Sequence, residues 1–107
     1  MKKPVLVRQG DVLVVEAKRQ EGLRPLPREG GRVVLAHGEV TGHSHAIASK
    51  AAVFAINEQT QRRFLEVTRP VTLSHEEHSP IQLKAGSYEV VIQREYSPSE
   101  MSRSVVD

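Results

Sequence analysis

Val33-Val34-Leu35-Ala36-His37-Gly38-Glu39 and Val71-Thr72-Leu73-Ser74-His75-Glu76-Glu77 are two stretches with one reading. A strand turns residues i and i+2 to the same face. Val33, Leu35, His37 and Glu39 therefore fall on one face, and Val71, Leu73, His75 and Glu77 do the same. Each phrase sets two apolar side chains, an imidazole and a carboxylate in a row, and the phrases begin 38 residues apart. The alternation predicts two strands with one buried face each, delivering matching polar groups to one place. A metal site or an acid/base pair is the simplest use of such groups.

Outward from these phrases, the apolar runs are short, valine-rich and punctuated by Gly, Pro or Ser, the pattern of strands rather than helices. Strands are expected at Val5 to Val7, Val12 to Ala17, Arg32 to Ala36, His43 to Ala48, Ala52 to Ile56, Arg63 to Val67, Val71 to His75, Ile81 to Lys84 and Ser87 to Tyr96. The segment Arg19 to Gly31 carries Pro25, Pro27, Gly22, Gly30 and Gly31 and reads as a surface loop. Residues 1–96 form a single β domain on this reading, and residues 97–107 a polar C-terminal tail. Short strands without helices close most economically into a small β-barrel or a two-sheet β-roll. The fold class expected is all-β.

Composition removes several chemistries. With 107 residues the chain is one domain, and with no cysteine it has no disulfide, thiolate ligand, iron-sulfur cluster or cysteine nucleophile. Any metal must be held by His and Asp/Glu. Fifteen basic against thirteen acidic residues leave a formal charge of +2, which permits contact with RNA or DNA without arguing for it. Phe54, Phe64, Tyr88 and Tyr96 are the whole aromatic set, too few for a base-stacking platform. The apolar run after Lys2 and Lys3 stops at Val7, short of a signal-peptide core or a membrane span, so no membrane partner and a cytoplasmic location are expected. No phosphate-cradling loop surrounds Gln9-Gly10-Asp11, and no serine has a Gly-x-Ser-x-Gly setting.

All five histidines lie in the windows 37–45 and 75–78. His43 and His45, two apart, point the same way if extended, and Pro80 keeps Ser79 out of a helix, placing His78 on a hairpin loop. The expected metal ligands are His43, His45, His75 and His78, with Glu77 as a further ligand or a base. Zn, Mn, Fe or Ni as a divalent ion suits imidazole with carboxylate. An open coordination position would lower the pKa of a bound water toward neutrality, making hydrolysis of an ester or phosphodiester the default chemistry. His37, His75, Glu39 and Glu77 are the catalytic candidates.

Two other functions fit the same residues. A metal-independent ribonuclease or phosphodiesterase would use one neutral and one protonated imidazole as base and acid. Arg62, Arg63 or Arg94 would then hold the phosphate of an RNA or small-molecule substrate, though adjacent arginines after Gln59-Thr60-Gln61 also read as a solvated turn. The other function is a binding or assembly module, with homo-oligomers formed through strand edges. His43-Ser44-His45 after a glycine-bearing loop, with Ala85-Gly86-Ser87-Tyr88-Glu89-Val90 later, resembles the cupin pattern, in which a small β-barrel holds a metal through His-x-His, a glutamate and a later histidine. The resemblance implies a metal-holding barrel, and it transfers only to His43 and His45, because Ala46 to Ala51 lacks the acid and the later histidine is absent.

Overall fold

The computed structural model of the chain describes residues 5–38 and 42–93. Its strands are β1 (Leu6–Gln9), β2 (Val12–Glu16), β3 (Arg24–Pro25), β4 (Val33–His37), β5 (Ser44–Ile47), β6 (Ala52–Ile56), β7 (Arg63–Val67), β8 (Val71–Ser74), β9 (Ile81–Leu83) and β10 (Gly86–Ile92), with no helix among the described residues. They form two antiparallel sheets, β1-β2-β10-β7-β6-β3 and β4-β5-β8-β9. Of the two architectures expected, the two-sheet roll is the one adopted; the sheets do not close into a barrel.

The two sheets bury their facing sides against each other. Val12, Val14, Leu65 and Val90 of the first sheet meet Val33, Leu35, Ile47, Leu73 and Leu83 of the second in one core. The register explains the pattern. Val14 pairs with Val90, which pairs with Arg63, so these three side chains leave the same side of the sheet. In the second sheet Ile47 pairs with both Val33 and Leu73, which places the apolar halves of the two repeated phrases side by side on the core face.

β3 lies within the segment read as a loop. Its two residues pair with Ile56 and Ala55, and the Leu26 N–H donates to Phe54 O at 2.8 Å while its side chain packs on the core. Proline has no N–H to give a ladder, which suits Pro25 to the sheet edge where it sits.

A β-bulge separates the fates of the two repeated phrases. Val34 pairs with Ala46, but the next pair is Ala36 with His45, so Leu35 is an extra residue in β4. Leu35 stays in the core at 1% exposure. Beyond it the alternation is inverted: His37 pairs with Ser44 and no longer shares the face of His45. No such shift interrupts β8 against β5.

Candidate metal centre

Continuing the β5–β8 register one step past Ala46–Ser74 sets His45 against His75, and there the rings lie 4.4 Å apart between centroids. His78 lies tilted 4.6 Å from His75 and nearly parallel to His45 at 5.8 Å, and His43 meets His75 edge-on at 5.6 Å. Four imidazoles from the two windows thus form one group. Two glycines allow it. A Cβ on Gly38 would lie 3.0 Å from His43 Cβ and 3.2 Å from His75 Nε2. Gly10, in the two-residue hairpin between β1 and β2, has φ +60°, and a Cβ there would lie 2.7 Å from His78 Nε2.

His45 is the most buried member, at 2% exposure, and its tautomer is fixed from the opposite sheet. Gln9, also 2% exposed, donates through Nε2 to Leu73 O at 3.0 Å and to Ser79 O at 2.9 Å. Its amide oxygen then faces His45 Nδ1 at 2.8 Å. Oxygen there only accepts, so Nδ1 carries the ring proton and Nε2 keeps its lone pair. Burial lowers the His45 pKa, the neighbouring His75 lowers it further, and Asp11, whose Oδ1 is 3.8 Å from Nε2, opposes them. In its neutral form His45 thus keeps its acceptor at Nε2, on the side of Asp11.

His75 has the opposite arrangement. Its Nδ1 accepts the N–H of Glu77 at 3.0 Å and, more weakly, that of His78 at 3.4 Å. In the neutral ring the proton therefore sits on Nε2. Ligation by His75 is coupled to this turn: binding through Nε2 moves the proton to Nδ1, against the two N–H groups, and binding through Nδ1 takes the lone pair from them.

Glu76 rather than Glu77 completes the tightest donor set. Beyond Ser74 the chain bends, and Glu76 accepts the Ser44 N–H at 2.9 Å, the main cause of its lowered pKa. One donor atom each from His43, His75 and Glu76 lies within 4.8 Å of the others. Bonds of 2.0–2.1 Å to a tetrahedral ion would put such atoms about 3.3 Å apart, so side-chain rotations of an ångström or so would close the set. His43 Nδ1 is buried with no hydrogen-bond partner among the described residues, an imidazole nitrogen with capacity to spare. Glu77 stands just outside, with Oε2 3.9 Å from His43 Nδ1.

The remaining candidates divide. His37 is exposed and pairs with Glu29 at 3.0 Å; the bulge at Leu35 turns it from the face that carries His45. Arg62 is no free phosphate clamp, since its guanidinium takes both oxygens of Glu89 at 2.7 and 2.9 Å. Arg63 belongs to β7 and points to the inner side of its sheet rather than to a turn. Glu39 and Arg94 lie outside the described residues. Gln9, Gly10, Asp11 and Glu76 were not singled out from the sequence. Their only signals were a Gly in the β1–β2 turn and a glutamate adjacent to the one chosen.

No helix among the described residues is long and apolar enough to cross a membrane. The family model described as a domain of unknown function (DUF8820) matches residues 8–93. Comparison with curated proteins and with solved structures gives no match. The cupin resemblance has no support beyond His43 and His45.

Proposed function

Because the chain belongs to the DUF8820 family, whose description names no activity, we propose from the site itself that it binds a divalent transition-metal ion and uses it in hydrolysis of an ester or phosphodiester. The observation that carries this reading is the convergence of His43, His75 and Glu76, with donor atoms within 4.8 Å of one another. Two imidazoles and one carboxylate leave at least one coordination position for water, the donor set of hydrolytic rather than structural zinc. Zn, Mn, Fe or Ni would serve. When bound, the metal would supply an acidified water and polarise the substrate oxygen.

The chain's own residues would do the rest. Glu77, beside His43, is placed to take a proton at its carboxylate. His45 offers Nε2 as a further donor or as a base, held in that tautomer by Gln9. The exposed Val5 and Leu6 at the β1 edge offer a route to self-association by strand pairing.

One observation favours a second reading without metal. His45 presents a lone pair at Nε2 while neighbouring His75 carries a proton at Nε2, an acceptor and a donor side by side. A general base at a phosphodiester can use that lone pair; the general acid must be an imidazolium, which His75 becomes only by giving up the N–H bonds its Nδ1 accepts. The test is elemental analysis of the purified protein, followed by a cleavage screen on RNA, bis(p-nitrophenyl) phosphate and p-nitrophenyl esters with and without EDTA. The metal reading expects bound metal and activity lost in EDTA and in Glu76→Gln. Cleavage that persists in EDTA but is lost in His45→Ala and His75→Ala would replace it with the second reading. No cleavage and no metal uptake would overturn both.

A further inference from the structure

Arg63 differs from its neighbour in a way the metal site does not explain. Arg62 is exposed and held by Glu89. Arg63 is half-buried on the inner face of β7, opposite Val90 on one side and Ile56 on the other. Its guanidinium lies 5.8 Å from the Phe54 ring centroid, and among the described residues no carboxylate pairs with it. A cation drawn toward a core without an anion forfeits hydration that a ring face only partly replaces.

Arg63 also lines a cavity of about 400 Å³ at the β4 edge of the roll. Leu26, Phe54 and Ile92 form apolar walls, and the His37–Glu29 pair lies at the border. The volume lies in the range of small-molecule sites, which are largely apolar with a few polar groups that fix orientation. Glu29 also lines the cavity, but its carboxylate lies 3.0 Å from His37 Nε2 and forms no salt bridge with Arg63. The cavity therefore has apolar walls and a guanidinium without a carboxylate partner among the described residues, and a guanidinium matches a carboxylate in planar, two-point geometry.

We propose that this cavity binds a small organic monocarboxylate with an apolar body, its carboxylate on Arg63 and its body against Leu26, Phe54 and Ile92. The site is separate from the histidine cluster and does not depend on the metal reading. Bending β4 at Leu35 gives it two products: His37 leaves the cluster and becomes part of this border.

The test is titration of octanoate, octan-1-ol and octylamine into the full-length protein, followed by backbone amide NMR. Saturable octanoate binding is expected, with shifts at Leu35, Ala36, Phe54 and Ile92 and at least tenfold weaker binding of the alcohol and the amine. Arg63→Met should weaken octanoate at least tenfold and Arg63→Lys less. If Arg63→Met fails to fold, octanoate against octan-1-ol on the unaltered protein decides alone. The proposal is overturned by absence of saturable binding, by equal affinity for octanoate and octan-1-ol, by a folded Arg63→Met that binds as before, or by shifts centred on His43, His75 and His78.

Discussion

β4 and β8 carry the same phrase and come to different ends. Val33 and Leu35 are as buried as Val71 and Leu73, all at 5% exposure or less, yet His75 joins three other imidazoles while His37 faces solvent beside Glu29. The difference is one unpaired residue, Leu35. Apolar positions in a strand are held by core burial, whereas the polar positions that follow are free to turn wherever the ladder takes them. An alternating pattern therefore reports reliably on the face that is buried and less reliably on the face a terminal polar group shares.

The largest effect expected from disturbing this comparison is in the core. Leu35→Ala and Leu73→Ala should each lower unfolding free energy by about 2–5 kcal/mol, measured by urea denaturation. Both side chains are at 1% exposure or below, so near-equal losses support a shared core role. A Leu35→Ala cost below about 1 kcal/mol would mean that the bulge residue is not anchored as described.

Next is the Gln9 bridge between sheets. Gln9→Leu leaves the Leu73 and Ser79 carbonyls without their donor, which should cost about 1–3 kcal/mol. The pH dependence goes with it. Burial and His75 lower the His45 pKa below 6.5, so below that value the unfolded chain takes up a proton that the folded chain resists. The neutral ring's contribution to stability is then present above pH 6.5 and is lost as pH falls through the lowered value. Thermal midpoints from pH 8 to 5.5 should decline in the unaltered protein, and a slope unchanged in His45→Phe would contradict this assignment.

Gly10→Ala should have a smaller effect, about 1–2 kcal/mol, from a non-glycine residue at positive φ. Its Cβ also encroaches on His78, so histidine ring signals should shift even where the fold persists. His37→Ala should have the smallest effect, within about 1 kcal/mol, because an exposed ion pair contributes little. A larger loss would show that His37 has a structural role that its exposure conceals.

Much of the fold was legible because valine-rich alternation reports burial directly. Each of the nine expected stretches overlaps a strand, the last of them running past the described residues to Tyr96, and among the described residues only β3, two residues inside a Pro/Gly-rich segment, escaped. The site was less legible. His43, His45, His75 and His78 could be grouped from their clustering, but not the choice between adjacent glutamates. Glu77 shares a face with His75 only if the strand continues, and it stops at Ser74. Gln9 was invisible because its role depends on the second sheet lying over the first, and no local pattern encodes that. The bulge was equally silent, since Leu35 fits the alternation and breaks it only in the pairing.

The central claim is that one repeated phrase yields one histidine in the cluster and one outside it. Zinc titration followed by 1H–15N correlation of the histidine ring nitrogens tests this most directly. Up to one equivalent of zinc should shift His43 and His75, with His45 and His78 responding as neighbours, and leave His37 unchanged. A His37 response equal to that of His75, or zinc that moves none of the rings, would contradict it.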